Sequence, residues 1–136
     1  MSSVALPLAT AGLYAGLLIL GAIALKAFVI RLRFMKRIGL GDGEDPALMK
    51  AVRIHGNYVE NVPLAIAGLT LLGLLGASVW LVHLCGLALM VGRAAHAQGL
   101  WSSAGASPGR TAGVALTGLA LGVTAIGLIV QAMRIL

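Results

Sequence analysis

A nearly continuous apolar stretch runs from Ala5 to Ile30, and Lys26 is its only charged residue. A helix of about 26 residues can cross the ~30 Å hydrocarbon core of a bilayer with some tilt. A second uncharged apolar stretch runs from Leu64 to Ala77. Neither stretch alternates between apolar and polar residues, as the strands of a membrane barrel do. Because a membrane-spanning backbone must satisfy its own hydrogen bonds, these segments are predicted to be helices.

The overall composition excludes an ordinary soluble domain. The chain is 60% hydrophobic and 10% charged, whereas soluble domains are about one quarter charged. Such a chain cannot cover itself with polar surface, so the lipid bilayer is its predicted partner. The net charge of +6 would suggest nucleic acid in a soluble protein. Here the basic residues flank apolar segments, and no nucleic-acid partner is predicted.

The apolar segments and turn signals predict one membrane domain over residues 1–136. Its helices are expected at about residues 5–34, 46–76, 79–99 and 110–134. The predicted fold class is an all-α, integral-membrane bundle of four transmembrane helices. Asp45 before Pro46 is typical of a helix start, and Pro63 predicts a kink inside the second helix.

Most basic residues gather at one end of the predicted bundle. They are Arg31, Arg33, Lys36, Arg37, Lys50, Arg53, Arg93 and Arg110, while Arg134 lies near the other end. Cytoplasmic loops carry an excess of Lys and Arg. The basic end is therefore expected in the cytosol, with both termini on the opposite side. The compact, Ala/Gly/Leu-rich chain favours the inner membrane of a bacterium.

Four polar residues share one face of the second predicted helix. Lys50, Arg53, Asn57 and Glu60 are spaced three, four and three residues apart, which places them in one stripe. Ionisable groups at membrane depth are costly unless they meet a partner, a cavity or a ligand. From the residues alone, the stripe fits either an ion network between helices or a ligand pocket.

Two motifs resemble a known family. Arg53, Asn57 and Glu60, followed by Pro63 and an apolar run, resemble the signature of the MAPEG family, the membrane-associated proteins in eicosanoid and glutathione metabolism. The segment Gly92–His96 (Gly-Arg-Ala-Ala-His) resembles one in the branch of microsomal prostaglandin E synthase and microsomal glutathione transferase. Length and the four-helix layout agree, so the resemblance covers essentially the whole chain.

The resemblance implies a homotrimer that uses glutathione as cofactor. It implies a transferase or peroxidase acting on a hydrophobic small-molecule substrate, either a lipophilic electrophile or a hydroperoxide. Matched position by position, the implied glutathione-binding residues are Arg33, Arg53, Asn57, Glu60, Arg93, His96 and Thr111. Arg110 is the implied catalytic residue, since a guanidinium near a helix N-terminus would stabilise the thiolate of glutathione.

One position departs from the family pattern. Its transferases often carry a tyrosine a few residues after the third-helix arginine, and Leu100 occupies the nearest position here. This departure leaves an alternative open: a non-catalytic membrane protein of the same fold that binds lipid or an anionic ligand. No metal site is predicted, because His55 and His96 are the only histidines at the basic end.

Overall fold

Four long helices make up the fold. The computed structural model describes residues 4–103 and 105–136. Within them lie α1 (Ala5–Lys36), α2 (Pro46–Leu74), α3 (Val79–Ser102) and α4 (Pro108–Ile135). The predicted all-helical fold class is confirmed.

Two helices begin at capping residues that the sequence supplies. The Asp45 carboxylate accepts a hydrogen bond from the backbone N–H of Leu48 at 2.8 Å, and Pro46 opens α2. The Ser107 hydroxyl accepts the backbone N–H of Arg110 at 3.4 Å. Both arrangements satisfy an N–H group that a helix N-terminus leaves without a partner. With Ser107 as its cap, α4 starts at residue 108, two residues before the expected position.

The third helix continues past Gly99, where it was expected to end, and stops at Ser102. Gly99 does not end the helix; it is the position at which α3 comes closest to the start of α4. A Cβ atom added there would collide with the backbone nitrogen of Arg110. The glycine therefore lets the last turns of α3 pack directly against the start of α4.

The helices form a layered bundle in which α2 and α3 occupy the middle. Helix α1 packs against α2 and α3, and α4 packs against the same two, whereas the backbones of α1 and α4 are not neighbours in the described part of the chain. The Tyr58 hydroxyl on α2 donates to the backbone carbonyl of Leu18 on α1 at 2.9 Å. At the other end, the Tyr14 ring lies against Gly86 on α3. The Tyr14 hydroxyl there hydrogen-bonds to Nδ1 of His83 at 3.1 Å.

The outer surface of the bundle is apolar. Large side chains such as Leu20 on α1 and Leu119 on α4 are more than 60% exposed, which water would disfavour and lipid would not. In the described residues, α1, α3 and α4 are each long and apolar enough to cross a membrane. Helix α2 is also long, but its first half carries Lys50, Arg53 and Glu60. This polar half contributes one wall of the site described next.

Candidate functional site

A polar cleft opens where the first half of α2 faces the end of α3 and the start of α4. Its volume is about 200 Å³. The lining residues come from these three helices: Val52, Arg53, Gly56, Asn57, Glu60, His96, Leu100 and Arg110. Five of the predicted site residues thus meet in one chain: Arg53, Asn57, Glu60, His96 and Arg110.

Helix α2 supplies both signs of charge to the cleft. Arg53 and Glu60 are exposed, and Asn57 between them is half-buried. Their spacing of four and three residues puts them on one face of the helix. A ligand in the cleft would meet a guanidinium, an amide and a carboxylate in sequence along one wall.

A buried arginine fixes the orientation of Asn57. Its Oδ1 atom accepts a hydrogen bond from Nη1 of Arg93 at 2.5 Å. A guanidinium can only donate, so the amide oxygen of Asn57 must face Arg93 and the amide nitrogen must face away. That nitrogen makes no hydrogen bond in the described part of the chain. It remains a donor for a ligand.

Arg93 itself ties three helices together. Besides Asn57, its Nε donates to the Thr117 hydroxyl at 2.9 Å and its Nη2 donates to the Gly113 carbonyl at 3.2 Å. The residue is only 4% exposed. Arg93 therefore lies behind the cleft wall, where it supports Asn57, and is not among the residues that line the cleft.

Arg110 enters the cleft from the first turn of α4. It is the third residue of that helix, and its Nη1 atom donates to the Gly105 carbonyl at 2.6 Å. His96 is 6% exposed and lies close enough to Arg93 and Arg110 to interact electrostatically with both. The α4 side of the cleft is consequently cationic, and the helix N-terminus adds partial positive charge in the same direction.

Two predicted site residues lie elsewhere. Arg33 on α1 donates from Nη1 to the carbonyl of Gly41 at 2.8 Å and lines a separate hollow at the end of α1. Thr111 is exposed on α4 and donates to the Ser107 carbonyl at 3.2 Å. Within one chain, neither residue reaches the cleft.

Thr117 was not predicted from the sequence as part of the site, and Gly113 was predicted only as a helix-packing glycine, although both hold the cleft in shape. Thr117 and Gly113 accept hydrogen bonds from Arg93, and Gly113 also meets His96 in a close helix crossing. Small and hydroxyl residues four positions apart in an apolar helix are typical of helix–helix contacts, and this signal could also have marked Thr117. The structure shows no cluster of three potential metal ligands among the described residues.

Together, the fold and cleft define an all-helical membrane protein with a mixed-charge polar site near one end of its bundle. The sequence model of the MAPEG family matches residues 11–130. The chain belongs to this family, as its two motifs predicted.

Two curated relatives are inner membrane proteins of a bacterium. Over 84 residues, the chain is 43% identical to the inner membrane protein YecN of Escherichia coli strain K12. YecN of E. coli O6:H1 strain CFT073 matches to the same extent. The matched region covers 60% of this chain and 64% of each relative, so the chain spans less than two thirds of their length.

Proposed function

We propose that the protein is a glutathione-dependent transferase or peroxidase embedded in the membrane. The observation that carries this proposal is the cleft itself, which presents Arg53, Arg110 and Glu60 around the amide of Asn57. Glutathione offers two carboxylates, an ammonium and a thiol. The cleft offers two guanidinium groups, a carboxylate and an amide, so the charges are complementary. MAPEG membership makes glutathione the first ligand to test.

Each polar group of the cleft has a role in this proposal. Arg53 binds a glutathione carboxylate through charge-assisted hydrogen bonds, and Glu60 binds the ammonium. The amide nitrogen of Asn57 donates to the peptide backbone of the ligand. Arg110, at the start of α4, faces the sulfur. A nearby cation and a helix N-terminus both favour a thiolate over a thiol.

The thiolate then reacts with a substrate delivered from the lipid. With an electrophile that carries a leaving group, sulfur attacks the electrophilic carbon, a C–S bond forms and the leaving group departs as an anion. The thiol proton goes to solvent. With a hydroperoxide, two glutathione molecules are oxidised to the disulfide while the hydroperoxide is reduced to an alcohol and water. Arg110 stabilises the sulfur anion in both reactions.

A homotrimer would complete the site. The cleft of one chain, at about 200 Å³, is smaller than the roughly 300–1,000 Å³ of ordinary ligand pockets. Arg33 and Thr111 do not reach it within that chain. A neighbouring copy that covers the open side could enlarge the cleft and contribute such residues. In this assembly the basic end faces the cytosol, where glutathione is available, and both termini lie on the opposite side.

A second function is favoured by one residue. Leu100 lines the cleft where many transferases of this family carry a tyrosine. A cleft with this apolar side chain and no phenol would bind an anionic ligand without activating it. The protein would then be a binding protein with the same fold.

One pair of measurements separates the two functions. Calorimetry on the detergent-solubilised protein measures glutathione binding, and an assay with 1-chloro-2,4-dinitrobenzene measures conjugation. Binding with turnover supports the transferase, and binding without turnover in either the conjugation or a hydroperoxide assay supports the binding protein. S-methylglutathione is the matched control, since it keeps both carboxylates but cannot form a thiolate. Absence of glutathione binding would remove the transferase or peroxidase proposal and leave only a binding protein for another ligand.

A further inference from the structure

A hydrogen-bonded pair of polar side chains lies at the end of the bundle opposite the polar cleft. The Tyr14 hydroxyl on α1 and Nδ1 of His83 on α3 are 3.1 Å apart, and their rings meet edge to face with centroids 5.6 Å apart. His83 and His96 lie on the same helix, about 20 Å apart at roughly 1.5 Å per residue. The pair is therefore a separate feature from the cleft.

This hydrogen bond fixes which nitrogen of His83 carries a hydrogen. The Tyr14 hydroxyl is on a residue only 8% exposed, and it has no other acceptor in the described part of the chain. A buried hydroxyl that donates to nothing is costly, so Tyr14 donates to Nδ1. A neutral imidazole that accepts at Nδ1 carries its hydrogen on Nε2. His83 consequently presents an Nε2–H donor.

That donor has no acceptor within the described residues. His83 is half-buried, and Leu84 beside it is 65% exposed on the apolar outer surface. Hydrocarbon chains offer no hydrogen-bond acceptor, so an N–H group facing them costs free energy. An acceptor carried by a lipid-soluble molecule would remove this cost.

The neighbouring side chains indicate what kind of molecule fits. The ring of Trp80 has its centroid 6.1 Å from that of His83 and is 73% exposed, so the indole is open to stacking. Leu84 and Leu87 follow Trp80 at spacings of four and three residues, which places all three on one face of α3. A ligand that uses this face needs a flat ring with an acceptor at its edge and an apolar tail. Lipid-soluble quinones combine these features.

We propose that a lipid-soluble quinone binds on this face of α3, with one ring carbonyl accepting a hydrogen bond from Nε2 of His83. The quinone ring stacks on Trp80, and its tail lies along Leu84 and Leu87. We call this the quinone site. It goes beyond the glutathione proposal, because it lies at the other end of the bundle and needs no glutathione.

Tryptophan fluorescence can report on this site directly. The chain has two tryptophans, so Trp101→Phe leaves Trp80 as the only one. The probe is decylubiquinone, added to the full chain at a fixed detergent concentration, because a quinone bound against an indole quenches its emission. Trp80→Phe leaves Trp101 at the far end of α3 and measures quenching by quinone that is only dissolved in the micelle. Decylbenzene, which has a ring and a tail but no carbonyl, is the control competitor.

Two further variants in the Trp101→Phe background test the role of His83. Tyr14→Phe/His83→Phe removes both polar groups together, so no buried hydroxyl is left without a partner. Tyr14→Phe alone is the matched control, since it keeps the imidazole and its N–H group. The midpoint of thermal unfolding checks that both variants are folded before the titrations are compared.

Quenching of Trp80 should saturate with quinone, whereas quenching of Trp101 should rise linearly. The half-saturating concentration should increase roughly tenfold or more in the double variant and change little in Tyr14→Phe. The proposal is overturned if quenching of Trp80 does not saturate, if the two variants bind alike, or if decylbenzene restores the emission at the concentration of the quinone. Calorimetry with glutathione should give the same affinity for both variants, so this result and that of the proposed function can be read separately.

Discussion

Arg93 on α3 donates from Nη1 to Oδ1 of Asn57 on α2 at 2.5 Å, across 36 positions of sequence. This bond joins a buried residue to one that lines the polar cleft. It sets which side of the Asn57 amide a ligand meets, because the guanidinium can engage only the oxygen. The cleft therefore depends on a residue that does not line it.

Replacing Arg93 by Lys should destabilise the protein and weaken its glutathione binding. An ammonium is a compact charge and cannot reach the acceptors on α2 and α4 together, as the forked guanidinium does. Loss of two of the three bonds among buried groups should cost roughly 2–5 kcal/mol. The midpoint of thermal unfolding in detergent measures the first effect, and calorimetry on the remaining folded protein measures the second.

Arg134→Lys is the control for this substitution. Arg134 is exposed near the end of α4, and its Nη1 donates to Gln131 at 3.0 Å. A surface contact of this kind contributes little to the free energy of unfolding, so the control should have the same unfolding midpoint as the unsubstituted protein. If Arg93→Lys also unfolded normally, the three hydrogen bonds could not be important for stability.

Replacing Arg110 by Ala should reduce turnover and largely spare glutathione binding. Without the guanidinium, the bound thiol loses a cation that favours its ionised form. A rise of one unit in the thiol pKa lowers the thiolate fraction about tenfold below that pKa, so the rate near neutral pH should fall by a similar factor. The pH of half-maximal rate should move upward. Conjugation rates across a pH series, with calorimetry alongside, test both statements.

Arg134→Ala is the matched control, because it also removes an arginine from α4 but at the other end of the helix. It should leave the rate and its pH dependence unchanged. Equal rates for Arg110→Ala and the unsubstituted protein would exclude Arg110 from the proposed mechanism.

The fold class could be predicted because it depends on local properties of the chain. The uncharged run from Ala5 to Ile30 needs only its length and composition to indicate a membrane helix. The helix ends depended on contacts between helices and were harder to predict. Gly99 was expected to end α3, but it lies against the start of α4, and the helix continues to Ser102. Spacing along one helix cannot reveal which neighbour a glycine accommodates.

The same distinction applies to the candidate site. Arg53, Asn57 and Glu60 lie along one wall of the cleft because the helical period alone places them on one face. The burial of Arg93 depends on how α3 is rotated against α2 and α4, which its own motif does not specify. Arg33 was assigned to the site from the family resemblance. Within one chain it lies away from the cleft, so only an Arg33 from a second copy of the chain could be near it.

Low pH should destabilise the fold at the start of α2, because the Asp45 carboxylate becomes protonated. A hydrogen bond with Lys36, followed by the backbone N–H of Leu48, holds the pKa of the Asp45 carboxyl below its usual range. A group whose pKa is lower in the folded state stabilises the fold above its unfolded pKa, near 3.9, and loses this effect as pH falls through the folded pKa. Asp45→Asn should therefore lower the unfolding midpoint at pH 7, and the difference should shrink below about pH 4.

Asp42→Asn provides the comparison for Asp45. The Asp42 carboxylate accepts the backbone N–H of Glu44 at 3.1 Å in the same loop but caps no helix. Its substitution should have the smaller effect at pH 7. A constant difference between Asp45→Asn and the unsubstituted protein from pH 7 to pH 3 would show that the charge of Asp45 is irrelevant to stability.

Helices α3 and α4 cross closely at Gly113, and an added side chain there should disturb both stability and the cleft. A Cβ atom at Gly113 would lie 2.6 Å from the carbonyl oxygen of Gly92 and from the backbone nitrogen of His96. Gly113→Ala must therefore push the two helices apart, and overpacking of this kind costs roughly 1–3 kcal/mol. Because the Gly113 carbonyl also accepts from Arg93, and His96 lines the cleft, glutathione binding should weaken together with stability.

Gly118→Ala adds the same methyl group to the same helix, at a position where no atom of another described helix lies within 4 Å of the added Cβ. It should leave the unfolding midpoint unchanged or raise it, since alanine favours a helix over glycine by up to about 1 kcal/mol. Thermal unfolding and glutathione calorimetry on the two variants separate the effect of the crossing from the general effect of alanine. If both variants behaved alike, the tight α3–α4 contact could not be what holds His96 and Arg93 in position around the cleft.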